Sequence, residues 1–277
     1  MTRPKILMCP PDFFTVTYII NPWMAGHEGE PSKDKAAEQW QTLRSIIEQF
    51  ADVVVIDPQP DLPDMVFTAN AGVVYRDKAV ASHFMPMERR KEEKHFKRWF
   101  KENDFDLYDL PDEIGFEGAG DALFDRGGPW FWVGHGFRTE TEAHDHLRTW
   151  TDRELVSVKL TDSRFYHIDT CMCPLRDGYL MYHPPAFDYD SRLAIESRVP
   201  SHKRIVVDTA DAGNFACNAV NIGEHVIVNK ASDHLKARLM RDGFKVHEVD
   251  LSEFLKAGGS AKCLTLKLTE PEQAVYQ

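Results

Sequence analysis

Ala36-Ala37-Glu38-Gln39-Trp40-Gln41-Thr42-Leu43-Arg44-Ser45-Ile46-Ile47-Glu48-Gln49-Phe50, then Ala51-Asp52, then Val53-Val54-Val55-Ile56, decides the fold class. Trp40, Leu43, Ile46, Ile47 and Phe50 recur at i, i+3 and i+4 intervals, the period of an amphipathic helix. The β-branched run that follows has the length and composition of a strand. The alternation continues outward. Short apolar runs at 5–8, 73–75, 130–133, 155–160, 179–181, 204–207, 225–228, 245–249 and 263–268 predict strands. Polar stretches at 91–100, 139–150, 191–196 and 231–242 predict helices between them, and 26–35 reads as a loop. Strands alternating with helices make an α/β protein. No Pro-rich, Gly/Ser-rich or charged linker interrupts the pattern, so residues 1–277 read as a single domain.

Composition narrows the function. With 43% apolar and 28% charged residues, the chain is that of an ordinary globular protein. A net charge of −11 argues against nucleic acid or an anionic membrane surface as a partner and suits a cationic small molecule. No stretch approaches the ~18 apolar residues of a membrane span, and the proline-broken N-terminus does not read as a signal peptide. Five irregularly spaced cysteines without a CxxC pair suit a reduced, cytoplasmic protein and neither a zinc ribbon nor a disulfide scaffold. A homo-oligomer is compatible with this composition, which specifies none.

Four polar clusters could carry chemistry. Gly258-Gly259-Ser260-Ala261-Lys262-Cys263 puts a thiol after a glycine loop; a strand continuing to Leu268 would set Cys263, Thr265 and Lys267 on the face opposite Leu264, Leu266 and Leu268. A polar-face thiol near a cation suits a nucleophile, against the alternative of an inert small residue. Phe165-Tyr166-His167-Ile168-Asp169-Thr170, read as a strand, places His167 and Asp169 on one face as a general base and a cation clamp, or as a chance surface pair. Phe116-Glu117-Gly118-Ala119-Gly120-Asp121 is a tight acidic loop. It lacks the third glycine of a dinucleotide fingerprint, and its carboxylates would repel phosphate. Phe67-Thr68-Ala69-Asn70-Ala71-Gly72 continues a strand into a loop where Asn70 could meet a ligand. Arg89-Arg90 and Gly134-His135-Gly136-Phe137-Arg138-Thr139 add loop arginines able to hold a carboxylate. His144-Asp145-His146 does not share a helix face and is set aside as a metal site, and Cys171-Met172-Cys173 reads as core packing.

The order of Phe-Thr-Ala-Asn, Phe-Glu-Gly-Ala-Gly-Asp, His-Ile-Asp and Gly-Gly-Ser-Ala-Lys-Cys resembles the guanidine-modifying superfamily of arginine deiminases, dimethylarginine dimethylaminohydrolases and amidinotransferases. The resemblance covers nearly the whole chain. It implies a five-bladed ββαβ propeller, the pentein fold, around a central active-site channel, which agrees with strands and helices recurring about every 55 residues. By position, Cys263 resembles the nucleophile, His167 the general acid/base, Glu117 the carboxylate bonded to that histidine and Asp169 the guanidinium-binding carboxylate. Arg138 resembles the ligand of the substrate α-carboxylate, with Arg89 a second candidate. The loop 12–24, with Asn21-Pro22-Trp23, resembles a lid in which Asn21 touches substrate.

Deiminases usually carry Phe-Thr-Arg-Asp where this chain has Phe67-Thr68-Ala69-Asn70. An amide can accept from a guanidinium N–H and also donate to a ureido oxygen. The replacement resembles the arginine dihydrolase subgroup, which implies hydrolysis of L-arginine to ornithine, carbon dioxide and two ammonia through a covalent Cys263 intermediate, with no metal and no organic cofactor. The alternatives are an enzyme stopping at citrulline, an amidinotransferase, a manganese ureohydrolase whose Asp- and His-containing motifs are missing, and a non-catalytic ribosome-binding or sensor propeller.

Overall fold

The computed structural model describes residues 3–270. Its first elements are β1 (Lys5–Met8), α1 (Lys33–Ile47) and β2 (Asp52–Val55), with β1 and β2 parallel. Three similar units follow: β3 (Gly72–Tyr75), β4 (Lys78–Ala81), α2 (Glu93–Glu102) and β5 (Asp106–Tyr108); β6 (Ala122–Phe124), β7 (Trp130–His135), α3 (Thr141–Trp150) and β8 (Glu154–Lys159); β9 (Met172–Leu175), β10 (Tyr179–Tyr182), α4 (Tyr189–Arg198) and β11 (Arg204–Val206). A short α5 (Thr209–Gly213) precedes β12 (Val220–Ile222), β13 (His225–Val228), α6 (Asp233–Arg241) and β14 (Lys245–Glu248). Then α7 (Ser252–Leu255) leads to β15 (Leu266–Lys267).

Each unit is one three-stranded blade whose first two strands are antiparallel and whose last two, joined across the helix, are parallel. The fifth blade is completed by both ends of the chain: β15 pairs antiparallel with β1, Ile6 opposite Lys267 and Leu7 opposite Leu266. The five blades of the α/β propeller are therefore present. The first strand of every blade lines one central channel, which includes Val73, Leu123, Met172, Val220 and Leu266.

Local chemistry explains the helix starts. Ser32, Asp188, Asp208 and Ser232 each accept a hydrogen bond from the backbone N–H three residues on, satisfying a donor the helix itself leaves open. Ser32 begins α1 inside the stretch read as a loop, and the helix ends at Ile47 rather than Phe50. Its Trp40, Leu43 and Ile47 are buried in the core shared with Ile6, Met8 and Phe254. Phe50, just beyond, stacks on His225 with ring centroids 3.7 Å apart.

The predicted strand at 165–170 and 263–265, and the predicted loops at 67–72 and 116–121, resolve into turns at the same place in different blades. Thr68–Ala71, Gly118–Gly120 and Ile168–Thr170 are single 3-10 turns, and 214–217 and 261–264 are further turns. Each precedes the first strand of its blade. Thus 68–71, 168–170 and 263–265 are not strand, and only Leu266–Lys267 of the last run is strand. The reason is where the backbone groups go. The N–H groups of Leu264 and Thr265 bond to the carbonyls of Ser260 and Lys262, and the Cys263 carbonyl accepts from Ala69, so no ladder forms. Cys171 and Cys173 are buried core residues, as expected. The strands sequence reading missed, β4, β5, β6, β9 and β12, are three or four residues long, too short to show a period.

Because β15 closes the ring, Leu266→Ala is expected to cost about 2–5 kcal/mol of stability, the range for emptying a buried leucine site. Urea denaturation should show a lower midpoint with an unchanged slope. A midpoint equal to that of the parent would mean the closing strand contributes nothing.

Candidate active site

The five turns lie at one end of the blades and recur at roughly 50-residue intervals. Asn70, Glu117, Asp169, Asn218 and Cys263 come from, or flank, one turn each, and this converts five distant segments into one cluster. All five side chains are buried.

Glu117 lies at the centre. Its Oε2 accepts from His167 Nε2 at 2.8 Å and from Arg138 Nη1 at 3.0 Å. Burial pushes this carboxyl up, but Arg138, the His167 hydrogen bond and the more distant Arg89 outweigh it and hold the group down to about 2. Glu117 is therefore an ionised, acceptor-only partner. The proton between it and His167 sits on Nε2, which leaves Nδ1 to take or give a proton. Gly120 makes room for this ring: a Cβ there would lie 2.5 Å from Asn70 Nδ2 and 3.1 Å from His167 Nδ1. Behind it, Asp121 accepts from the Ile168 N–H and the Thr139 hydroxyl, tying the 118–120 and 168–170 turns together.

Cys263 Sγ is 3.7 and 3.9 Å from the two carboxylate oxygens of Asp169. Burial first, then Asp169, push the thiol well above the ordinary thiol range, against opposing effects of the Ser260 backbone, Lys262 and Asn218. The resting group is a thiol, and a cation between sulfur and Asp169 is what would favour ionisation. Asp169 itself is pushed by burial up to about 6, with Lys262 and His167 opposing and Asp121 adding to the rise. Two buried carboxylates thus differ sharply: Glu117 is compensated and Asp169 is not.

Asn70 is fixed from both ends. Its Oδ1 accepts from Arg89 Nη1 at 2.9 Å and its Nδ2 donates to the Glu117 carbonyl at 3.1 Å. Arg89 also pairs through Nε and Nη2 with Glu92 and through Nη2 with the Asp64 carbonyl. Arg89 therefore stands behind Asn70 as its support. Arg138 reaches from Glu117 to the Ile20 carbonyl at 2.6 Å, its guanidinium 4.8 Å from the centre of the Tyr166 ring.

The 12–24 loop lies over these residues. Asn21 donates to the Ala257 carbonyl and accepts from the Trp23 and Met24 N–H groups. Its amide thus holds the loop's own turn. Trp23 bonds the Arg164 carbonyl and packs edge-on against Phe215. At Gly258, where φ is +79°, a side chain would meet both Asn21 and the Tyr166 hydroxyl, so the loop and the cysteine turn approach closely only because glycine is there.

Sequence reasoning missed two groups. Asp64 is buried, accepts from the Tyr18 hydroxyl at 3.0 Å, and its Oδ1 has no hydrogen-bond partner among the described residues. Asn218 bonds both Cys263 and the Asp169 backbone. Neither lies in a stretch whose pattern departs from ordinary turns, so a single sequence held no signal for them. Among the described residues no group of three or more His, Cys, Asp and Glu could hold a metal ion. His144 bonds the Gly134 carbonyl and His146 the Tyr108 hydroxyl, apart from one another.

The chain matches the family described as eukaryotic N,N dimethylarginine dimethylhydrolase over residues 18–270. It is 55% identical over 267 residues to the bifunctional arginine dihydrolase/ornithine cyclodeaminase ArgZ of Synechocystis sp., covering 96% of this chain and 38% of that protein. To AgrE of Nostoc sp., which has the same description, it is 54% identical over 270 residues, covering 98% and 38%. The chain thus spans under two-fifths of the length of these curated relatives. It superimposes with a TM-score of 0.95 on the N-terminal domain of ArgZ, solved as an asparagine-to-serine variant covalently bound to a reaction intermediate. That match has 54% identity and covers 96% of this chain and 98% of the other.

The Asp169 environment has a consequence for stability. The group titrates near 3.8 when unperturbed and near 6 here, so its contribution is full below about pH 4 and is lost as pH rises through about 6. At about pH 8, Asp169→Asn is expected to be more stable than the parent by on the order of 2–3 kcal/mol, with the difference vanishing near pH 4. Thermal or urea denaturation at the two pH values checks it. A variant less stable at high pH would show that the carboxylate is favoured as an anion.

Proposed function

The chain belongs to the dimethylarginine dimethylaminohydrolase family of the guanidine-modifying superfamily, and from that premise we propose that it is an arginine dihydrolase, converting L-arginine and two waters to ornithine, carbon dioxide and two ammonia. The observation that carries the second hydrolysis is the orientation of the Asn70 amide. Arg89 can only donate and the Glu117 carbonyl can only accept, so Oδ1 is occupied and a hydrogen on Nδ2 is what remains for a ligand. That donor complements the ureido oxygen of citrulline, which a second carboxylate in its place would repel.

Asp169, with Glu117 behind, holds the flat guanidinium against Cys263. The thiol proton passes to His167 Nδ1 and sulfur attacks the guanidinium carbon. The imidazolium returns the proton to the departing ammonia, leaving an amidino thioether. His167 then takes a proton from water, the hydroxide adds to the same carbon, and collapse expels the thiolate and yields citrulline. A second round on the ureido group, its oxygen held by Asn70, releases the second ammonia and leaves the ornithine carbamoyl group on Cys263 as a thiocarbamate. Water hydrolyses that thiocarbamate, frees Cys263 and leaves an N-carboxy-ornithine, whose N–C bond breaks to give ornithine and carbon dioxide. Arg138 takes the substrate α-carboxylate, whereas Arg89, the second candidate from sequence, is committed to Asn70 and Glu92; the unpartnered Oδ1 of Asp64 suits the α-ammonium, and Asn21 closes the loop over both.

A second reading, hydrolysis stopping at citrulline, is favoured by the description of the matching family. We also read residues 1–277 as one domain, which the pairing of β15 with β1 supports. We place the protein in the cytoplasm, since all five cysteines are free thiols. No helix among the described residues is long and apolar enough to cross a membrane.

Incubation with L-arginine alone should yield about two ammonia per ornithine, and Cys263→Ala should yield neither product nor a mass adduct. Accumulated citrulline with one ammonia would establish the second reading. In Asn70→Asp, the citrulline-consuming step should fall at least about 100-fold, because a buried carboxylate replaces the donor. An unchanged ornithine yield would remove Asn70 from the argument.

A further inference from the structure

The thiol that the proposed reaction ionises lies beside a carboxylate in a buried site, and one side chain outside the expected machinery addresses both. Asn218 Nδ2 donates to Cys263 Sγ at 3.1 Å and to the Asp169 carbonyl at 3.0 Å, and its Oδ1 accepts from the Cys263 N–H at 3.1 Å. The orientation of this amide does not depend on the sulfur. The Cys263 N–H can only donate and the Asp169 carbonyl can only accept, so Nδ2 must be the end that meets Sγ. With one Nδ2 hydrogen on the carbonyl, the other is committed to sulfur as an acceptor. We propose that Asn218 is a further catalytic residue, whose amide N–H stabilises the Cys263 thiolate during attack and again when sulfur is expelled.

The position is built for this. Asn218 is fully buried and stands two residues before β12, as Asn70 stands two residues before β3; both are followed by alanine. One blade thus directs an amide donor at the substrate and another directs one at the nucleophile. The turn that seats Asn218 includes Phe215, a buried bulky residue at φ +59°, whose carbonyl accepts the Asn218 N–H at 3.0 Å. That conformation is unfavourable for phenylalanine and persists only where surrounding contacts hold it, here including Trp23 of the covering loop. A neutral donor also has an advantage over a cation at this point. It favours the thiolate without repelling a guanidinium placed between sulfur and Asp169.

The inference needs the Cys263 nucleophile but not the identity of the substrate, and the test separates the two. In Asn218→Asp and in the milder Asn218→Ser, iodoacetamide alkylation of Cys263, followed by peptide mass at about pH 8, should slow about tenfold. The ascending limb of the kcat/KM profile should move up by about one pH unit, and kcat should fall at least about 10-fold while KM changes less than about 3-fold. Using both variants guards against one that fails to fold. Parent-like alkylation together with a parent-like pH profile in either folded variant would overturn the assignment. Loss of activity through KM alone would do the same, since it would indicate a structural role. If alkylation slows as expected but the parent protein turns over no arginine, the role of Asn218 stands and the arginine reading falls.

Discussion

Glu117 has to remain charged where no solvent reaches it, and much of the site is arranged around that requirement. A buried carboxylate is costly unless it is paired and hydrogen-bonded. Here one oxygen serves both His167 and Arg138. Satisfying it fixes the histidine tautomer, orients the ring and draws Arg138 across to the Ile20 carbonyl of the covering loop. Breaking this carboxylate's pairing would leave an unpaired buried charge, a penalty on the order of 3–5 kcal/mol.

Asp169 shows the opposite arrangement. It lacks a comparable ion pair, its carboxyl is pushed up to about 6, and the Cys263 thiol, which the proposed reaction ionises, lies 3.7 Å away. A site left short of positive charge in this way would be completed by the cationic substrate of the proposed reaction. Binding a guanidinium would relieve the penalty on Asp169 and lower the cost of forming the thiolate with the same charge. In the proposed reaction the two carboxylates, one compensated by the protein and one awaiting compensation, would divide the work between holding the base and holding the substrate.

The order of motifs and the chemical groups gathered at the candidate site were legible because they reside in residue types: a thiol after glycines, a His-x-Asp pair, an acidic glycine loop and an Asn in place of an expected Asp. The helices at 33–47 and 233–241 were legible because their apolar faces repeat over several turns. The short inner strands and the turns before them were not. Three-residue strands buried on both faces have no period, and 3-10 turns at 68–71 and 168–170 use the same small and polar residues as an irregular strand end. Asp64 and Asn218 were invisible for a related reason: each is an ordinary turn residue until a distant segment is folded against it.

By itself the sequence determined the α/β class, the recurrence of the elements and the chemical groups available, because these follow from local periodicity and side-chain identity. Only the tertiary structure decided which nitrogen of His167 is committed, which end of the Asn70 and Asn218 amides meets a ligand or the sulfur, and which of two carboxylates stays ionised. Those properties are relations between groups 19 to 94 residues apart. They exist once five blades bring five turns into one water-excluded cluster, where the direction of each donor and the balance of each charge acquire energetic consequences.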